Sequence, residues 1–575
     1  MTLAPASEEI AFDIDDIPFS TAGAWFNLSR VVRRGHVSRD VHLVSHRTGM
    51  EPVLELLPTV AGRRVEANVV ATPALLKWQL DRGEIGAAYE SARALRIRGQ
   101  GADLTIAAAA TKLTPFAGTY LFGDSLTGGY VFTSYETGLR YRVSPLGSTQ
   151  LTAVGSQLLG DGLRAVTVSS ATDAWEVAIE EYETGRMSYL GALAFDRVVA
   201  DRAADFAEFV ERVAPWRGGD TPAAGLACYV LWSSLVSPGG CLQRPSILMS
   251  MHWMDKVWSW DHCFNALAIS QGDARLAWDQ FLLPFDHQEP TGALPDSVAH
   301  FEVLYNFVKP PIHGWTLERL WRDVKHEIGP DELREALAAL ESWTEYWSRY
   351  RTSEASGLPQ YQHGNDSGWD NATTFDDERV IESADLAAHL ATQMRALAAL
   401  QAECGRADSA NAWDERAVAL ERRLLSELWA TDRFMARGVE SGIRRDSASL
   451  LDLMPIVLGP RLPREVRASL VRRLRQHLTP YGLATERPDS PHYRSDGYWR
   501  GPIWAPVTVL IEQGLRECGE TEFATDIARR FLQLCESHGF AENFDAITGE
   551  GLRDRAYTWT ASAYLLLARE HAQSF

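Results

Sequence analysis

From about residue 20 to 170 the apolar positions fall in short runs such as "HVSRDVHLVS", "RRVEANVVAT", "DLTIAAAATK" and "GGYVFTSYET", rich in Val, Leu, Thr and Tyr and separated by Gly, Asp and Pro. Short runs with that punctuation predict antiparallel strands, and their number predicts an N-terminal β-sandwich over residues 1–170. At "ATDAWEVAIEEYETGR" the spacing turns helical, and "RVVADRAADFAEFVERVAPW" continues it to Pro215, which predicts a helical linker over residues 171–220. "RGGDTPAAG" breaks that linker, with Pro222 suited to the first turn of the next helix.

Beyond it, about twelve helical segments alternate with loops, from "GLACYVLWSSLV" to "YTWTASAYLLLAREHAQ". No tight repeat accompanies them, which disfavours a solenoid of short repeats. Long irregular loops after alternate helices suit a double-layered helical barrel over residues 221–575, with the loops building a site at one end. The expected fold is multidomain α and β, an antiparallel sandwich followed by that barrel.

A chain of 575 residues exceeds the roughly 250–300 at which one hydrophobic core stops growing, which agrees with two domains. Acidic residues (76) outnumber Lys and Arg (56) without a basic run, so the field repels nucleic acid and anionic membranes, and neither is an expected partner. The opening "MTLAPASEEIAFDIDDIPFS" has no basic stretch followed by an apolar one, and no segment reaches about 18 uninterrupted apolar residues, so the expected location is cytoplasmic. Six cysteines (Cys228, Cys241, Cys263, Cys404, Cys518, Cys535) lack metal-ligand spacing and read as reduced thiols, with no metal site.

The unusual chemistry sits in the loops. "MSMHWMDKVWSWDHCF", "HQEPTGALPDSVAHFEV", "LPQYQHGNDSGWDNATTFDD", "SDGYWRGPIWAP" and "HGFAENFDAITGEG" each combine carboxylates or amides with aromatic rings. A rigid ring with a hydrogen-bonding tip suits a ligand having both C–H faces and hydroxyls, as a sugar has. No GxGxxG after a strand, GxxxxGK[ST], HExxH or GxSxG is present, which leaves carboxylates as the chemical groups. Two carboxylates cleave glycosidic bonds, one protonated toward the leaving oxygen and the other activating water. A free Asp at about 3.9 is almost wholly ionised at neutral pH. A second carboxylate about 7 Å away at an effective dielectric of about 20 adds about 2.4 kcal/mol toward keeping the proton, and burial beside Trp369 adds to it.

These loops resemble glycoside hydrolase family 63, which includes mannosyl-oligosaccharide glucosidase and mannosylglycerate hydrolase-like members, and its trehalase and glycogen-debranching relatives. "DSGWDN" resembles the family's ESGWDNS-type motif, "YWRGPIW" its YWRGPxW motif and "ENFDAITGEG" its E-[NKY]-[YF]-[DN]-P-x-TG-type segment, all in the family's order. "WSWDHCFNALA", "QEPTGALPDSV" and "KPPIHGW" are similar to three further family segments, so the likeness covers about residues 220–570. It implies an (α/α)6 barrel, inversion at the anomeric carbon and no required cofactor. It also implies Asp370 as general acid and Glu542 as general base, with Asp261 and Arg500 on sugar hydroxyls. Trp260, Trp369, Trp499 and Trp504 would form the walls, and Gln288, His313 and His363 further contacts.

The sequence departs from the family at Asp366, where Glu is common, at Ala372 and Thr373 after the Asn, and at Ala546 in place of Pro. Asp366, Asp376 and Asp377 compete with Asp370 on residue type alone, and Glu550 competes with Glu542. Asp261 at a helix start also suits a capping role. The expected activity is that of an exo-acting inverting α-glycosidase, an α-glucosidase, releasing a terminal glucosyl residue from a small glucoside or oligosaccharide. The alternatives are an inverting glycoside phosphorylase, which requires a cationic phosphate pocket in place of the base, and a non-catalytic carbohydrate-binding protein. The partner expected in each case is a small carbohydrate, and the sequence leaves the oligomeric state open.

Overall fold

The computed structural model describes residues 10–571 apart from 173 and 186; the first nine residues of the opening segment inspected above for a leader lie outside it. The chain is a mixed α and β multidomain protein of two compact units. One comprises residues 1–211, 228–240 and 250–255; the other comprises 212–227, 241–249 and 256–575.

The first unit is built on two antiparallel sheets. One runs in the order Phe26–Arg33, His36–Ser45, Glu51–Val60, Asp103–Ala108, Ala165–Ser169, Gln150–Val154, with Arg63–Arg64 paired to Glu51–Val60. The other runs Thr119–Asp124, Gly129–Ser134, Arg140–Leu146, Ala174–Tyr182, Ala94–Gln100, Glu84–Ser91, Leu76–Gln79, Asn68–Ala71. Leu28, Leu43, Leu54 and Ile106 of the first sheet, and Ile85, Tyr89, Leu95 and Ile97 of the second, are buried, as alternation predicts. The Tyr89 ring lies 5.3 Å from the Phe26 ring, and its hydroxyl donates to the Phe26 carbonyl at 2.9 Å, joining the sheets.

The linker expected over 171–220 is corrected in its first half, because Ala174–Tyr182 is an interior strand of the larger sheet. Trp175 and Ile179 stand four apart, which also fits a helix; the neighbouring strands decide the outcome. Glu180 is fully buried and accepts from Arg142 Nε at 3.0 Å, while Glu176 pairs with Arg96. A strand buried on both faces loses the clean alternation that marks a half-exposed one. The second half of the linker is helix α1, Phe195–Val213, as predicted.

Among the described residues the other eleven α-helices are α2 (Ala224–Ser233), α3 (His262–Ile269), α4 (Ala274–Leu282), α5 (His313–Val324), α6 (Pro330–Tyr350), α7 (Ala384–Glu403), α8 (Ala407–Leu428), α9 (Arg464–Leu474), α10 (Ala505–Glu517), α11 (Thr521–His538) and α12 (Thr558–His571). "SASLLDLMPIVL" differs from the predicted α-helix. It forms a 3-10 segment, Leu450–Arg461, containing Pro455 and Pro460 and broken at Gly459, where φ is 57°. Proline lacks the amide and its ring clashes with the carbonyl four residues back, which disfavours α geometry, and the segment takes the tighter 3-10 turn. Among the described residues, six of these segments touch in a closed cycle: α3 with α5, α5 with α7, α7 with Leu450–Arg461, that segment with α10, α10 with α12, and α12 with α3. Outside it α4 packs on α3 and α5, α6 and α8 on α7, α9 on Leu450–Arg461, and α11 on α10 and α12.

Short ladders stiffen the loops that precede the cycle's members. Val257–Trp258 pairs with Ser297–Val298, Gln360–Tyr361 with Ile381–Glu382, and Asn543–Phe544 with Gly551–Leu552. Trp315, Trp321, Trp343 and Trp347 are core, as their helical spacing predicts, whereas Trp258 is half-buried on its strand. Among the described residues no two cysteines form a disulfide.

Candidate active site

Asp370 ends a tightly determined turn. His363 opens the 3-10 turn Gly364–Ser367, its Nδ1 accepting from Asn365 N at 3.1 Å. Asp366, 1 % exposed, accepts from the amides of Val308, Gln362 and His363 and from Arg351 Nη1 at 2.9 Å. Its carboxylate is thus used up in holding the loop. Gly368 closes the turn at φ 71°, where a side chain would meet Trp260 Cζ2 at 2.3 Å, so only glycine fits. Trp369 and Asp370 emerge from it with little freedom.

Asn371 joins this loop to the "YWRGPIW" loop: its Nδ2 donates to the Gly497 carbonyl at 3.0 Å, and its Oδ1 accepts from Trp499 N at 3.0 Å. Arg500 donates to the Asn371 carbonyl at 2.6 Å and pairs with Asp376, so it clamps the acid loop from outside. The tryptophans form one buried stack. Trp499 lies 4.0 Å from Trp504 at 6° and 4.7 Å from Trp369, and Trp559 links Trp504 to Trp260 at 5.9 and 5.0 Å. All four expected wall rings are within 3 % of complete burial, and much of their ring area is spent on one another.

Glu542 is 4 % exposed at the start of a hairpin, its amide donating to the Asp554 carbonyl at 2.7 Å. Its sequence rival Glu550 stands exposed at the hairpin turn. A bridge between Ile503 and Phe544 fastens the hairpin to the "YWRGPIW" loop. Tyr498 connects the two carboxylates electrostatically: burial, then the charges of Glu542 and Asp370, push its phenol well above the usual range. Tyr498 (φ 64°) and Arg553 (φ 65°) both have left-handed backbones, a strain of about 1–3 kcal/mol each for non-glycine residues. Arg553 lies 5.0 Å over the Tyr498 ring and donates to Asn543 Oδ1 at 2.8 Å, beside Glu542.

Burial raises the Asp370 carboxyl above its ordinary value; Lys309 opposes this and Asp296 reinforces it. Burial also pushes Asp261 up to about 8, against Lys309, with Asp296 and Asp370 adding to the rise. Asp261 makes no capping bond to α3, and its Oδ2 is buried without a hydrogen-bond partner among the described residues. The capping role open to it in sequence is not the one it takes. Burial alone would lower Lys309, but Asp296, Asp370 and Asp261 together hold it above its ordinary value.

Two expected contacts serve other ends. Gln288 donates its amide to the carbonyls of Gly292 and Ala339, fixing its turn against α6. His313 is fully buried, its Nε2 donating to the Ser259 carbonyl at 2.9 Å, and burial lowers its imidazole to about 4; it supports the Trp260 segment as a neutral ring. His363 stacks 5.0 Å from Phe307 and its charge acts on Asp370. Residue-level reading missed Lys309, Asp296, Tyr498, Arg553 and Asn371. All but Arg553, which lies two residues past the last motif, sit inside a motif-bearing loop, but a lone Lys or Tyr there resembles surface decoration. Among the described residues no group of three His, Cys, Asp or Glu is arranged to hold a metal.

The model of the mannosylglycerate hydrolase MGH1-like glycoside hydrolase domain matches residues 254–560. The chain is 23% identical over 391 residues to a mannosylglycerate hydrolase of Thermus thermophilus, covering 54% of this chain and 94% of that one. Among solved structures it is similar to a GH63 mannosylglycerate hydrolase of Thermus thermophilus in complex with glucose, with TM-score 0.52, 21% identity, and 60% and 99% of the two chains covered. It is also similar to a bacterial glucoamylase complexed with acarbose, with TM-score 0.64 at 10% identity over 99% of this chain and 96% of that one. At these identities the structural likenesses bear on the fold.

Proposed function

Since the chain belongs to the mannosylglycerate hydrolase MGH1-like glycoside hydrolases of family 63, we propose that it is an exo-acting, inverting α-glucosidase acting on a small glucoside or oligosaccharide. The observation that carries this is the pair of carboxylates on separate loops, the buried Glu542 and the half-buried Asp370, whose charges both act on Tyr498. Asp370, its carboxyl raised above the ordinary value by burial, gives its proton to the leaving oxygen; Glu542 takes a proton from water attacking the opposite face of the sugar. Asp261, with a buried oxygen in need of a donor, receives a sugar hydroxyl. Arg500 acts one step back, by fixing the acid loop, and Trp260 and Trp369 border the bound ring. The six-membered helical cycle is read as the inner ring of an (α/α)6 barrel. The cytoplasm is the compartment read here, in keeping with six cysteines scattered without disulfide-framework or metal-ligand spacing.

A proton NMR time course on trehalose, glucosylglycerate, mannosylglycerate and short α-glucans tests the reading through the anomer released first. Early β-glucose from an α-glucoside supports it, and early α-glucose overturns the inverting mechanism. Asp370→Asn and Glu542→Gln should each lower turnover by orders of magnitude while the circular dichroism spectrum stays unchanged; full activity in both removes the assignment. The relative is a mannosylglycerate hydrolase, which favours a terminal α-mannosyl residue as the second reading, and mannosylglycerate in the panel separates the two.

A further inference from the structure

Lys309 contacts the carboxylate of Asp296 and acts on those of Asp261 and Asp370, carried by two other segments. Its Nζ lies 2.9 Å from Asp296 Oδ1 and donates to the Asn365 carbonyl at 2.8 Å, inside the turn that ends in Asp370. The preceding amide, Val308 N, donates to Asp366 at 3.1 Å, so the segment is stitched to the acid loop twice. Lys309 and Asp296 are both nearly fully buried, at 6 % exposure each, and neither is needed as the acid or the base. A buried lysine facing one partner would serve as a simple ion pair. This one also acts on Asp370 and Asp261, and Asp296 acts on both with the opposite sign.

We propose that Lys309 and Asp296 are positioning residues that form a charge balance for Asp370, the lysine drawing its proton off and the aspartate retaining it, and thereby set the pH range of the enzyme. The proposal rests on the reading of Asp370 as the acid. The groups facing Lys309 are Asp296 on its own loop, Asp261 at the start of α3 and Asp370 on the acid loop; Asp370 is faced in addition by His363 and Tyr498, and beneath its loop Asp366 is neutralised by Arg351. Losing the lysine removes a positive charge beside Asp370 and leaves Asp296 uncompensated, so both changes favour the protonated acid. Losing the Asp296 charge leaves the lysine uncompensated and favours the ionised acid.

The test is the pH dependence of kcat/KM on the α-glycoside turned over fastest in the NMR panel. The wild type is compared with Lys309→Gln, Asp296→Asn and Lys309→Arg, and Asp370→Asn serves as the check on the acid. The alkaline limb should rise by about one pH unit or more in Lys309→Gln, fall in Asp296→Asn and stay near wild type in Lys309→Arg, since removing a unit charge that acts on the acid is enough to move its titration by that much. A purely structural pair would lower rate or stability without moving the limb, and limbs unmoved or moved the same way overturn the proposal. If Lys309→Gln does not fold, the downward shift in Asp296→Asn decides alone. Unmoved limbs in an enzyme that Asp370→Asn silences sink only the charge balance; activity retained in Asp370→Asn, or none on the whole panel, sinks the reading of the site and this proposal with it.

Discussion

Gly368→Ala isolates how far the acid loop depends on one absent side chain. The glycine has φ 71°, and a Cβ there would meet Trp260 Cζ2 at 2.3 Å and Cε2 at 2.7 Å. Adopting the left-handed conformation with alanine costs about 1 kcal/mol, and forcing a methyl into a packed ring costs about 1–3 more. Gly405→Ala is the matched control, since Gly405 has φ 76° and nothing within 4 Å of the place a methyl would take. It should lose about 1 kcal/mol and keep full activity. The contact with Trp260 is then the difference between the two variants, about 1–3 kcal/mol, read as the gap between their urea unfolding midpoints. Relief of the clash has to move either Trp260, next to Asp261, or the peptide that carries Trp369 and Asp370. A displacement of about 1 Å at a reacting group costs on the order of a hundredfold in rate. Gly368→Ala should therefore lose about that factor in kcat. Midpoints and kcat equal for the two alanine variants would refute the reasoning.

Trp499→Ala removes a ring 1 % exposed between Trp504 and Trp369, and should cost about 3–5 kcal/mol in urea denaturation, with Trp499→Phe recovering a large share. Asp452 is buried and pushed up to about 7, partly offset by the Ser447 and Thr374 hydroxyls. Its folded value lies above the ordinary value of about 3.9, so its contribution to stability is complete below about pH 4 and is lost as pH rises through about 7. Asp452→Asn should flatten the fall in urea midpoint across that window, and an unchanged slope would count against it.

Helices and edge strands were legible because one exposed face keeps the apolar period visible. Ala174–Tyr182 was not, because both its faces are buried and its glutamates meet arginines from distant strands. Leu450–Arg461 kept its apolar spacing, while its prolines decided the kind of turn. At the site, Trp369 among acidic residues was the visible sign, and the buried Glu542 against the exposed Glu550 agrees with the motif's alignment. Lys309 was not legible, since a sequence displays its charge and conceals the carboxylates that its own loop and two other segments bring to it. Gln288 and His313 lie near motifs yet spend their polar atoms on backbone carbonyls, a distinction only coordinates make.

The cycle of helical segments has an electrostatic consequence of its own. α3 begins after Asp261, α5 at His313, α7 after Ser383, α10 after Trp504 and α12 at Thr558, so each starts from one of the loops described above. A helix start carries about half a positive elementary charge from its unpaired amides. Asp261, Asp296 and Asp370 share the single ammonium group of Lys309, and these backbone ends add a diffuse counter-potential to it. That share of the balance contains no ionisable group, so it stays constant across the pH range in which the carboxyls exchange their protons.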